Sequence, residues 1–124
     1  MASPLGFEGG LTLAFDSTDR KKSMAWYRDV LGLNVLYEVE DIGWCELASE
    51  TPGVNVGIAQ TESVKKGAVP TFGVKDIGKA RRYLEDKDVK FDGETREIPG
   101  LVKLATFFDP DGNPLMLFES LQEG

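Results

Sequence analysis

Three residues in the first half of the chain could recognise a charged small molecule: Tyr37, and the Trp44 and Glu46 of "GWCEL". If the segments that carry them are neighbouring strands, aromatic planes stand beside a carboxylate. That combination holds a cationic, planar ligand by cation-π contact and charge pairing. Cys45, between Trp44 and Glu46, could in principle be a nucleophile. The chain has no histidine to activate it and no basic residue beside it, so it reads as a buried structural thiol. Without an imidazole the protein also lacks the commonest metal ligand and the usual neutral-pH proton shuttle. Any chemistry must come from carboxylates, Lys, Tyr, Cys or backbone. Arg96 and Lys103, in the second half, could face an anionic substrate.

The charge distribution points the same way as the aromatic-carboxylate set. Between Arg28 and Lys65 there is no Lys or Arg, whereas Asp29, Glu38, Glu40, Asp41, Glu46, Glu50 and Glu62 all fall inside that stretch. Read from sequence alone, the first half carries an uncompensated negative field that favours a cationic ligand. The net charge of -7 lacks the basic footprint that nucleic-acid binding needs. No apolar run reaches the roughly 18 residues of a membrane span. The N-terminal "MASPLGFEGG" has neither the basic nor the apolar region of a signal peptide. With one cysteine and no internal disulfide possible, the expectation is a soluble, cytoplasmic protein without membrane or nucleic-acid partners.

The elements that would position these residues repeat. "GGLTLAF" is β-prone, and "DSTDRKKSMAWYRDVLG" predicts a helix capped by Ser17, Thr18 or Asp19, with Met24, Tyr27, Val30 and Leu31 on one face and Gly32 at its stop. "LNVLYEV", "GWCELAS" and "VNVGIAQ" read as strands. After the polar linker "TESVKKG" the order restarts: strand "AVPTFGV", a helix "IGKARRYLEDK" capped by Asp76, then strands "VKFDGE", "GLVKLATFF" and "NPLMLFES". Between the last two, "DPDGN" predicts a turn in which Asp109 and Asp111 bond local amides and Gly112 supplies positive φ. The fold class is therefore α+β. A single domain, 1–124, holds two tandem β-α-β-β-β modules at about 10–60 and 68–120, joined by a linker at 61–67. Each sheet would have a bare face that pairing buries.

With this duplication, "AWYRDVLGLNV" at 25–35 and "FFDPDGNPLMLFE" at 107–119, the chain resembles the vicinal oxygen chelate superfamily of glyoxalases, bleomycin-resistance proteins and extradiol dioxygenases, from about Gly10 to Ser120. The resemblance implies an open, curled mixed β-sheet barrel around a cavity, commonly completed by a homodimer. Catalytic branches hold a divalent metal on four inward side chains, and the matching positions here are Thr12, Gly57, Val69 and Met116. These are not the carboxylates or imidazoles such metals need, so no metal and no cofactor are expected.

The same parity implies that Thr12, Ala14, Asn55, Gly57, Val69, Thr71, Gly73, Met116 and Phe118 point inward. The small residues at 14, 57 and 73 would leave space among them. Together with Tyr37, Trp44 and Glu46 they give the expected ligand-binding set. The function implied is a metal-independent small-molecule binding protein of the glyoxalase/bleomycin-resistance type, sequestering a cationic or aromatic ligand such as an antibiotic. The alternative is a diverged glyoxalase- or dioxygenase-type enzyme, a lyase or oxygenase, so whether there is turnover stays open.

Overall fold

The computed structural model of the protein describes residues 3–65 and 67–122; Lys66 of the predicted linker lies outside the described residues. The chain divides into two compact units, Gly10–Val69 and Met1–Gly9 with Pro70–Gly124. The first, module one, contains β1 (Leu11–Ser17), α1 (Arg20–Asp29), β2 (Asn34–Val39), a short 3₁₀ turn (Glu40–Ile42), β3 (Trp44–Ala48) and β4 (Val54–Gln60). Its strands run in the order β2-β3-β4-β1. β1 and β4 are parallel, and the other pairings are antiparallel. Module two contains β5 (Val69–Gly73), α2 (Ile77–Asp86), β6 (Arg96–Ile98), β7 (Val102–Phe108) and β8 (Pro114–Ser120). Its order is β5-β8-β7-β6, with β5 and β8 parallel. The β-α-β-β-β repeat read from the sequence is the observed architecture of each module.

The repeat extends to individual side chains. Of the three cap candidates, Asp19 caps α1 by accepting from the Lys22 amide at 3.1 Å, and Asp76 caps α2 from the Lys79 amide at 3.0 Å. The last strand of each module also holds the start of its helix. Gln60 Oε1 accepts from the Arg20 amide and Glu119 Oε1 from the Ile77 amide, both at 2.8 Å. These are orphan amides that a helix cannot satisfy internally.

One face of each sheet packs on its helix. Module one buries Met24, Cys45, Leu47, Val56 and Ile58, with Phe15, Tyr27 and Leu33 against them. Module two buries Val74, Ile77, Ala80, Ala105 and Leu117, with Phe72, Leu84, Phe91 and Phe107 alongside. The predicted apolar face of α1 is shorter than expected: Val30 and Leu31 are 63% and 55% exposed, because the helix has already ended at Asp29. Gly32, at φ 75°, turns the chain there, and its amide bonds the Arg28 carbonyl.

"VKFDGE" is not a strand. Only an isolated bridge, Phe91 to Phe107, forms within it, and the paired segment begins at Arg96 opposite Leu104. From 91 to 96 the chain advances five residues while its partner advances three, from 107 to 104, so two extra residues bulge out at 92–95. Gly93 takes φ 72° within the bulge, which alternating apolar residues do not reveal. The "DPDGN" turn forms as expected: Asp109 Oδ1 accepts from the amides of Asp111 and Asn113 at 2.9 Å each, and Gly112 has φ 84°.

Candidate functional site

Strand register decides which side chains share a surface. Residues paired across a sheet lie on the same face, and successive residues alternate. In module one, Cys45, Leu47, Val56 and Ile58 face α1. The alternate residues therefore occupy the other face. There Tyr37, Glu46, Gly57 and Ala14 form one continuous row across β2, β3, β4 and β1, and Thr12 pairs with Asn55 in the next row.

Glu46 is the centre of this face. Its Oε1 accepts from the Tyr37 hydroxyl at 3.0 Å, and its Oε2 accepts from Asn55 Nδ2 at 2.9 Å and the Thr12 hydroxyl at 3.2 Å. Donors from three other strands thus fix the orientation of one carboxylate. Thr12 is 9% exposed, so the inner oxygen is held deep while Tyr37, 48% exposed, stands at the rim. A carboxylate offers roughly four acceptor positions. The three protein donors leave Oε1 able to accept from a ligand. Partial burial pushes the Tyr37 phenol up to about 12, and the negative charge of Glu46 adds to the shift, so it remains a hydrogen donor at neutral pH.

Trp44 lies beside this carboxylate, and its placement corrects the expected vacancy over Gly57. A Cβ at position 57 would stand 2.1 Å from Trp44 Cη2, so the indole itself occupies the space that the missing side chain leaves. The same holds in module two, where the Phe118 ring covers Gly73 and a Cβ there would lie 2.9 Å from Cζ. The small residues seat aromatic rings of the protein itself, and the ring over Gly57 forms a flat apolar floor next to Glu46. Of the remaining predicted residues, Thr71 and Met116 are paired across β5 and β8 of module two, in a row that Thr106 of β7, absent from the sequence reading, continues. Val69 begins β5. Arg96 shares the face of Leu104, whereas Lys103 lies on the other face, opposite Glu97 and Glu119.

The negative field of the first half is partly compensated, contrary to the sequence reading. Arg20, only 4% exposed, reaches from the start of α1 to Glu38 Oε1 at 2.8 Å and Glu40 Oε2 at 3.0 Å. Lys21 pairs with Glu40 and Arg28 with Asp29. The sequence reading gave Arg20 no role. Its spacing of four and seven residues from Met24 and Tyr27 places it on the core-facing side of the helix, and that was the available signal. Glu46 takes no part in these ion pairs. Cys45 is fully buried, and burial pushes its thiol up despite the neighbouring Arg20, which fits an inert core residue.

The metal positions of catalytic relatives do not fit a metal here. In module one Gly57 has no side chain, and the Thr12 hydroxyl is spent on Glu46. In module two the positions are Val69 and the thioether Met116. Among the described residues no group of three His, Cys, Asp or Glu side chains converges as a metal site.

Comparison with known proteins agrees with this architecture. The family model described as Glyoxalase/Bleomycin resistance protein/Dioxygenase superfamily matches residues 14–117. Methylmalonyl-CoA epimerase from Mycobacterium tuberculosis is similar in structure at TM-score 0.76 and 22% identity, covering 97% of this chain and 92% of that one. A structure described as NAD-dependent benzaldehyde dehydrogenase from Legionella pneumophila is similar at TM-score 0.74 and 17% identity, over 89% and 98% of the chains. A glyoxalase/bleomycin resistance protein/dioxygenase superfamily member from Vibrio splendidus 12B01 has TM-score 0.61 and 21% identity, over 89% and 97%. At these identities the likeness is one of fold. No curated protein sequence matches the chain.

Proposed function

The chain belongs to the glyoxalase/bleomycin resistance protein/dioxygenase superfamily, and from that premise we propose that it is a small-molecule binding protein that works without a metal. The ligand is cationic and flat. Its charge pairs with Glu46 and its plane lies against Trp44. The observation that carries this reading is the carboxylate of Glu46, held by Tyr37, Thr12 and Asn55 with one acceptor position left over. Orienting a charged group before the ligand arrives removes part of the ordering cost of binding. No helix among the described residues is long and apolar enough to cross a membrane. A cytoplasmic setting suits the free thiol of Cys45. A homodimer suits the outer edge of β2, where Val35, Leu36 and Tyr37 are exposed.

A thermal-shift screen of flat aromatic cations, each beside its neutral isostere, tests the reading. Stabilisation by cations over their isosteres supports it, and no stabilisation across a broad set counts against it. Elemental analysis of the purified protein goes with the screen, since stoichiometric divalent metal would contradict the metal-free assignment. A second reading, in which the protein turns a substrate over, is favoured by one feature. Glu46 is an oriented carboxylate that could accept a proton from a bound molecule.

A further inference from the structure

The bulge at 92–95 in module two has a consequence beyond strand register. It is braced from α2 by Arg81, whose Nη2 donates to the Gly93 carbonyl at 2.8 Å and whose Nη1 donates to Thr95 Oγ1 at 3.0 Å. The same guanidinium lies 4.2 Å from the centroid of the Phe91 ring, and Glu85 Oε2 accepts from its Nε at 3.2 Å. The bulge is thus clamped at its carbonyl, its threonine and its leading aromatic. A clamped bulge fixes the directions of the side chains it carries. Asp92, Glu94 and Arg96 line a small concavity with Leu104, Thr106 and Met116. Arg96, Leu104, Thr106 and Met116 share the face turned away from α2, opposite the buried Ala105 and Leu117.

The charged side chains of this concavity are uncommitted. Among the described residues no ion pair or side-chain hydrogen bond engages Asp92, Glu94 or Arg96, whereas each nitrogen of the nearby Arg81 guanidinium donates one hydrogen bond. The cavity volume is about 110 Å³. A single water needs about 10–15 Å³ on that measure, and drug-sized sites run to roughly 300 Å³ or more. The space suits a molecule of a few non-hydrogen atoms. The walls offer a cation on one residue and anions on two, over a floor of Met116, Leu104 and the Thr106 hydroxyl. A simple anion would meet two carboxylates beside the guanidinium, and a simple cation would meet the guanidinium.

We propose that the Asp92–Arg96 bulge forms a second binding site, carried by module two alone, for a small zwitterion of amino-acid size. The carboxylate of the ligand pairs with Arg96 in the bidentate manner of a guanidinium, and its ammonium group lies between Asp92 and Glu94. Arg81 is a positioning residue for this site and does not touch the ligand. The inference does not depend on Glu46.

Amide NMR titration of the intact protein with glycine and L-alanine tests it, using acetate and glycinamide as probes that each lack one charge. The expected result is saturable shifts at Arg96, Thr106 and Met116 for the two zwitterions. Acetate and glycinamide should bind about tenfold more weakly or worse, as the loss of a charge-assisted hydrogen bond predicts. Arg96→Gln should abolish the shifts while Glu46→Gln leaves them intact. Arg81→Gln should weaken zwitterion binding and disturb the amides of 92–95 in the free protein, with Arg81→Lys restoring neither fully. Absence of saturable shifts with either zwitterion at millimolar concentration, equal binding of acetate and glycine, or shifts that survive Arg96→Gln would overturn the proposal.

Discussion

The Tyr37 hydroxyl donates to Glu46 Oε1 at 3.0 Å from the adjacent strand, in the row that continues through Gly57 to Ala14. This contact joins the exposed edge of module one to a carboxylate that accepts from three other strands. It is formed by a residue pair directly opposed across β2 and β3, so backbone register alone brings the two groups within reach.

Absorbance titration of the phenols should therefore show one of the three tyrosines ionising near 12, and Tyr37→Phe should remove that step. The folded state holds this proton above the ordinary tyrosine value of about 10. Between roughly pH 10 and 12 the unfolded chain binds fewer protons than the folded one, so stability falls as pH rises through that window. Tyr37→Phe should flatten this alkaline loss. An unchanged alkaline profile in the variant would separate Tyr37 from Glu46.

Gly57→Ala should displace the Trp44 indole, since the added Cβ would stand 2.1 Å from Cη2. Overpacking of this kind costs about 1–3 kcal/mol. The variant should show a shifted tryptophan emission and weaker binding of flat cations. Retained emission and unaltered stability would mean that the indole does not rest on Gly57.

Arg20→Met should destabilise the fold by about 1–3 kcal/mol, because it leaves the partly buried Glu38 without its guanidinium while retaining the packing of the stem. Lys21→Met, at an exposed pair, should be almost silent. Urea midpoints measure both, and equal midpoints for the two variants would contradict the buried role of Arg20.

The parts of this structure that local physics specifies were legible in the sequence. Asp19 and Asp76 cap helices because short acidic side chains satisfy orphan amides wherever a helix begins. Strand alternation separates Glu46 from Cys45 and Leu47, and the repeat aligns Gln60 with Glu119. The convergence of Thr12, Tyr37 and Asn55 on Glu46 was legible only as a shared face, since hydrogen-bond partners depend on side-chain reach across β4. The seat of Trp44 over Gly57 was misread as empty space, because a glycine in a sequence does not say which neighbour fills its place. The bulge at 92–95 was hidden for a related reason: "VKFDGE" alternates like a strand, and the two additional residues show only against the partner strand. Arg20 is the clearest miss. Its helical spacing from Met24 outweighs its charge once two carboxylates stand within reach.

The central claim is that Glu46 is the anchor for a cationic ligand. Its most direct test is isothermal titration of the parent protein and Glu46→Gln with a flat aromatic cation selected by thermal shift. The glutamine keeps the size and some of the hydrogen bonds, and loses the charge. The prediction is about tenfold or greater weakening in Glu46→Gln, with thermal stability retained and with the neutral isostere bound equally by both proteins. Equal affinity of the cation for the two proteins would contradict the assignment.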